Sequence, residues 1–206
     1  FDEVEKVLNR CGIAEEMRHI HVDAALFGSI LPFLENTPKI DFGGGFIHSV
    51  AVSGHKFPRA IMPSGVWLCR NTKIKAETKE LIDALLTPKS GHFALHLWSV
   101  IKKRRDQGFH READRCLGNA LYLYGRLKDI EYPVGLNPFS SIVLFALPHQ
   151  SLIEKWVLIH YDDPFGNACA HVIVMQHITR KGIDSLVRDL QRDMKARKKR
   201  GEWLVQ

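Results

Sequence analysis

Ser49-Val50-Ala51-Val52-Ser53 is a run of five small or β-branched residues closed at once by Gly54, and it constrains the fold more than any other stretch. It is too short for a stable helix. Such a run fits a strand covered on both sides, the situation of a central parallel strand in an α/β sheet. A second compact β-type run, His19-Ile20-His21-Val22-Asp23, precedes it without any hairpin signal, so it too must pair with a distant segment. Between the two lies a loop punctuated by Gly28, Pro32, Pro38 and Gly43-Gly44-Gly45. A third strand is expected over residues 65–70, after a Pro- and Gly-marked loop at 58–64.

Helical spacing follows. A short amphipathic helix is expected at 2–9, and longer ones at 75–86, 92–104 and 109–128, with Pro88 interrupting the series. From Ser140 the pattern turns back to strands at 140–147, 157–161 and 172–175, then to a closing helix at 183–196. The last third therefore reads as a separate small α+β layer. Phe93, Leu95, Leu97 and Trp98 are expected in the helix core, and Tyr122, Leu123 and Tyr124 are read as packing residues. At 206 residues, 45% hydrophobic and 25% charged, the chain has a globular composition that excludes a disordered or coiled-coil protein. The apolar runs stop well short of the roughly 18 residues that span a bilayer.

The formal net charge is +6, from 29 Lys and Arg against 23 Asp and Glu. Much of that excess sits in Arg188, Arg192, Lys195, Arg197, Lys198, Lys199 and Arg200. It is read first as a solvated helix end that suits the helix dipole, and second as a surface for an acidic or nucleic-acid partner. Cys11, Cys69, Cys116 and Cys169 are far apart with no CxxC pair, which excludes a clustered zinc site and fits a reducing, cytoplasmic compartment.

The chemistry concentrates in Ser53-Gly54-His55-Lys56, a lysine just past the carboxyl end of an expected buried strand, where open α/β sheets bind ligands. Partial desolvation there would favour a free amine able to attack a carbonyl. Asp23 stands at the end of the other strand, followed by Ala24, Ala25 and Gly28. A carboxylate so placed calls for a cationic partner, and a protonated pyridine nitrogen would serve. A Schiff-base lysine with an acidic partner for the pyridinium nitrogen marks pyridoxal phosphate sites. Spacing alone leaves two plainer readings open: a surface lysine, and an aspartate that caps a turn.

These residues resemble a known family. His21-Val22-Asp23-Ala24-Ala25 with Gly28, Leu31-Pro32-Phe33, and Ser49 through Lys56 with Pro63 and Gly65 are similar to the group II pyridoxal-phosphate-dependent amino acid decarboxylases, most of all to their histidine decarboxylase-like branch, which includes serine decarboxylases. The resemblance continues more weakly through Gly91-His92, Leu97-Trp98, His171 and residues 183–190. It implies an α/β fold of the pyridoxal-phosphate-dependent transferase type, fold type I. Residues 1–106 would be the C-terminal part of the large α/β/α cofactor domain, and residues 107–206 the connecting helix and the small C-terminal α+β domain. By the same resemblance the cofactor is pyridoxal 5′-phosphate, with Lys56 as its Schiff-base residue and Asp23 on the ring nitrogen. Ala25 would lie against one ring face, and Ser53 and His55 would contact the phosphate. The implied reaction is decarboxylation of a histidine-like or serine-like amino acid. The implied partners are that amino acid and a second copy of the chain or a complementing upstream segment, with no metal, no nucleic acid and no membrane.

Several features depart from the family pattern. The chain begins at Phe1, after the region where relatives carry a ring-stacking histidine and a phosphate-binding loop, so an upstream segment is expected to be missing, cleaved or carried by another chain. The alternative is a non-catalytic fragment or degenerate homologue serving in assembly or regulation. Thr87-Pro88-Lys89-Ser90 places a proline where relatives have a serine, leaving Thr87, Lys89 and Ser90 as substitutes. Phe57-Pro58-Arg59 is bulkier than the family's usual sequence after the lysine, so the lysine loop is expected to be held differently. His19, His21 and Asp23 alternate onto one face and allow a metal site, a reading subordinate to the one that employs Asp23. His92 and His96 are read as packing or capping residues, and Gly43-Gly44-Gly45 as a turn.

Overall fold

In the computed structural model, which describes residues 2–43, 45–70, 90–162 and 166–202, the chain divides into two units, one up to His110 and one from Arg111. The first opens with helix α1 (Asp2–Arg10) and holds a three-stranded sheet of β1 (His21–Asp23), β2 (Ser49–Ser53) and β3 (Gly65–Cys69), in that order. β2 is central, as its composition required. It runs parallel to β1 with Asp23 opposite Ala51, and antiparallel to β3 with Ser53 opposite Gly65.

The side-chain alternation of a strand sorts the two sheet faces. Val22, Val50 and Val52 join Ala24, Ile40, Phe42 and Ile47 in the apolar cluster. Gly28 lies against that cluster so closely that a Cβ there would stand 2.7 Å from Val52 Cγ2 and 2.9 Å from the Ala24 methyl. The opposite register carries His21, Asp23, Ser49, Ala51 and Ser53, which makes that face polar.

Helix α2 (Gly91–Asp129) is interrupted at Arg105, whose φ of 52° and ψ of −177° are not helical, so two helical segments meet there. The sequence placed its break at the same point, between 104 and 109. The expected helix at 75–86 lies outside the described residues. Leu95 and Trp98 are 57% and 55% exposed, which corrects their assignment to the core. This segment turns Phe93, His96, Leu97 and Val100 inward instead. Apolar character identified the segment as a helix without identifying which flank is covered.

The second unit is an antiparallel sheet in the order β4 (Val134–Leu136), β5 (Ile142–Ala146), β7 (Ala168–Ile173), β6 (Ile159–Asp162). Val143 and Phe145 of β5 are buried together with Leu123 and Leu127 of α2 and with Ile183, Leu186, Val187, Leu190 and Met194 of the closing helix. Helix α3 (Gln150–Trp156) precedes β6, and α4 (Arg180–Lys199) closes the unit with Thr179 Oγ1 accepting the Gly182 N–H at 3.2 Å. No helix among the described residues is long and apolar enough to cross a membrane.

Candidate active site

β1 and β2 end side by side, and their backbone pairing continues past the strands. The Ala24 N–H donates to Ala51 O at 2.9 Å and the Ser53 N–H to Ala25 O at 3.1 Å. Asp23, Ala25 and Ser53 are thereby gathered at the carboxyl end of two adjacent parallel strands. The Ala25 N–H donates to Asp23 Oδ1 at 3.0 Å, fixing the carboxylate while the side chain stays exposed. Among the described residues Asp23 has no cationic partner. It therefore does what the plainer reading allowed, capping a turn, and still offers its second oxygen to a ligand.

The chain then turns sharply after Ser53. The Gly54 N–H donates to Ser64 O at 2.7 Å, the Ala60 N–H to Gly54 O at 2.9 Å, and the Arg59 N–H to Lys56 O at 3.2 Å. Gly54 is buried, and a Cβ on it would meet Ser64 Oγ at 2.4 Å and Leu97 Cδ1 at 3.0 Å. Only glycine fits there without displacement. Ser64 O lies 3.0 Å from His55 Nδ1. A carbonyl only accepts, so Nδ1 carries the proton and Nε2 is left facing outward. The fully buried Phe57 anchors the far side of the loop, its ring 6.4 Å from that of Phe109. Arg104 also donates to Pro58 O. The bulky Phe57-Pro58 pair thus pins the loop down, a function its departure from the family pattern did not reveal.

Lys56 itself is exposed, as is His55. This corrects the expectation of a desolvated amine. The buried members of the loop are Gly54, Phe57, Pro58 and Ala60, and their inward packing leaves the side chains of His55 and Lys56 outside. No hydrogen bond or ion pair among the described residues links Lys56 to Asp23. Ser90 acts as a helix cap, its Oγ 2.8 Å from His92 Nδ1 and accepting the His92 N–H at 3.3 Å. Thr87, Pro88 and Lys89 lie outside the described residues.

The polar sheet face also gathers histidines. Ser49 Oγ is 2.7 Å from His21 Nδ1 and 3.0 Å from His19 Nε2, and the rings of His19 and His48 are 5.5 Å apart. Partial shielding of its ring, followed by the influence of His48 and His21, lowers the His19 pKa below the ordinary histidine value. A hydroxyl between two imidazoles is a hydrogen-bond relay, and no set of three or more metal-ligating side chains is gathered among the described residues.

Against known proteins, no family model matches the chain. It is 34% identical over 210 residues to serine decarboxylase 1 of Oryza sativa subsp. japonica, covering 98% of this chain and 41% of that protein. It is likewise 34% identical over 199 residues to histidine decarboxylase of Solanum lycopersicum, covering 94% of this chain and 47% of that one. The chain thus spans less than half the length of these relatives, in their C-terminal portion. Among solved structures, Lactobacillus brevis CGMCC 1306 glutamate decarboxylase superposes with a TM-score of 0.72 at 18% identity, over 93% of this chain and 50% of that one. The fold is therefore the α/β fold of type I pyridoxal-phosphate-dependent enzymes. Over nearly its whole length the chain is a homologue of these serine and histidine decarboxylases, matching the C-terminal portion of each.

Proposed function

We propose that this chain supplies the lysine-bearing, C-terminal part of a pyridoxal-phosphate-dependent amino acid decarboxylase, acting on a small polar or imidazole-bearing amino acid in the cytoplasm. The observation that carries the reading is the junction of β1 and β2, where Asp23, Ala25 and Ser53 converge and from which the Lys56 loop departs. The residues present fit the cofactor. Asp23 holds one carboxylate oxygen free of any described partner, Ala25 is small enough to lie beside a flat ring, and the Lys56 ammonium is unengaged among the described residues.

Pyridoxal phosphate, when bound, supplies an electron sink for the electrons left behind as carbon dioxide departs. Asp23 would keep a proton on the ring nitrogen through its free oxygen, with Oδ1 already held by the Ala25 N–H. Lys56 would supply the amine that links the cofactor. Ser53 and His55 would face the phosphate, and because His55 Nδ1 is committed to Ser64 O, only its Nε2 is available. Residues 1–106 would form part of the cofactor domain and 107–206 the connecting helix and small domain, working as a homodimer or with a complementing upstream segment. Enclosure of the exposed Lys56 would come from the cofactor and from those further atoms.

The test is the visible spectrum of the purified protein with added pyridoxal phosphate, then borohydride reduction and mass mapping. A reduced pyridoxyl group on Lys56, absent from Lys56→Ala, supports the reading. An unlabelled Lys56, or equal labelling of surface lysines, overturns it. The exposure of Lys56 favours a second reading, a non-catalytic homologue retained for assembly, and the same absence of label would support that alternative.

A further inference from the structure

Every exposed residue of α4 is basic: Arg180, Lys181, Arg188, Arg192, Lys195, Lys198 and Lys199. The three acids of the helix are turned inward, two of them against cations of the rest of the unit. Asp184 accepts from Tyr122 Oη at 2.8 Å and from Arg126, and Asp189 accepts from Lys155 Nζ at 2.7 Å and Trp156 Nε1 at 3.0 Å. Asp193 Oδ2 accepts the His149 N–H at 3.1 Å. Two of these acids are thus matched by cations from outside the helix, which leaves most of its own cations to solvent. A merely solvated helix would mix both signs on its outer face, commonly as i to i+4 pairs. Here the acids face inward, and within the helix only Arg192, 3.9 Å from Asp189, and Arg197, 3.9 Å from Asp193, reach one of them.

At about 100° per residue, Lys181, Arg188, Arg192, Lys195 and Lys199 fall in one stripe opposite the buried Ile183, Leu190 and Met194, about 27 Å long at 1.5 Å per residue. The stripe is one side chain wide; of the helix's exposed cations only Arg180 and Lys198 lie off it, about 100° around the axis. A flat bilayer is matched by a two-dimensional basic patch, whereas a single file of cations matches a linear polyanion. No exposed apolar or aromatic residue of α4 flanks it, so it has neither a wedge for lipid nor a platform for stacking bases. We infer that the outer stripe of α4 is a docking surface for the phosphodiester backbone of a nucleic acid, contacting phosphates without reading sequence. The basic chain end, read from sequence first as a solvated terminus, gains a partner from the way the fold sorts its charges.

The test is fluorescence anisotropy of labelled 20-base-pair duplexes of two unrelated sequences, titrated with the full chain from 50 to 200 mM salt. Five phosphate contacts predict a slope of log K on log salt of about −4.5, an affinity loss of about 500-fold across that range. The two sequences should bind alike. R188Q/R192Q/K195Q/K199Q should bind at least tenfold more weakly at 50 mM salt, with a slope near −1. K39Q/K103Q/R111Q/K128Q, an equal loss of exposed charge elsewhere, should keep the steep slope. All eight positions are exposed, and circular dichroism checks that each variant is folded. An equal effect of the control substitutions, a failure of the duplex to bind at 50 mM salt, or stripe-dependent binding of phosphatidylserine vesicles without duplex binding would each overturn the proposal.

Discussion

Gly54→Ala should damage the lysine loop by a mechanism that a second substitution can undo. The added methyl would sit 2.4 Å from Ser64 Oγ and 3.0 Å from Leu97 Cδ1. Both obstacles are ends of side chains rather than backbone, so they yield, and the expected cost is about 1–2 kcal/mol, in the lower part of the range for overpacking. Ser64 Oγ is buried and has no hydrogen-bond partner among the described residues. Ser64→Ala therefore removes an unsatisfied hydroxyl at little or no cost, while its carbonyl continues to hold Gly54 and His55. In Gly54→Ala/Ser64→Ala the severe approach is gone and only the Leu97 contact remains, so about 1 kcal/mol of the damage should be recovered. For a chain of this size, with about 2–4 °C per kcal/mol, Gly54→Ala should lower the melting temperature by about 3–6 °C and the double variant by about half as much or less. Thermal denaturation followed by circular dichroism, with urea unfolding of the same four proteins, completes the cycle. Additivity of the two substitutions within about 0.3 kcal/mol would refute the reasoning, because it would mean that the residues do not meet.

Phe57→Ala, which empties a fully buried ring site beside Phe109, should destabilise the first unit by about 3–5 kcal/mol in urea titrations and reduce borohydride labelling of Lys56; an unfolding midpoint unchanged from the parent chain would contradict the anchoring role. The Lys155 ammonium, with help from Trp156 and Arg192, holds the Asp189 carboxyl below its ordinary value of 3.8. Its contribution to stability is therefore complete above pH 3.8 and lost as pH falls through the lower folded value, so acid unfolding of the second unit should be less steep in Asp189→Asn. Burial, and then His48 and His21, lower the His19 pKa below 6.5 in the folded chain; its contribution is present above pH 6.5 and lost on acidification, so His19→Gln should flatten the decline in stability below pH 6.5 in pH-dependent melts. An unchanged slope in either variant would place the titration elsewhere.

What the sequence disclosed follows from which signals are local. The strand at 49–53 was legible because β-branched residues bounded by glycine admit few other conformations, the one expected at 65–70 because a Pro- and Gly-marked loop precedes it, and the break in α2 because Asp106-Gln107-Gly108 interrupts two helical repeats. Helix α3 was not legible. Its N-cap is His149, whose ring accepts the Ser151 N–H at 3.3 Å, and its C-cap is Val157 at a φ of 50°. Neither residue type is a usual cap, and Val157 opens what reads as a β run. The short β4 escaped for want of a pattern, since three residues are too few to show alternation.

The site divides along the same line. Asp23, Ala25 and Ser53 could be placed from sequence because strand ends fix their positions, and the structure brings all three to one junction. The surroundings of Lys56 could not be, because burial is a property of partners far along the chain. Phe57 reaches Phe109, Pro58 reaches Arg104, and Gly54 reaches Ser64 and Leu97. These contacts fix the loop from beneath and leave the amine outside. A lysine held by its backbone with its side chain free is oriented without being desolvated. Its enclosure, more than its position, therefore decides whether this loop can do chemistry.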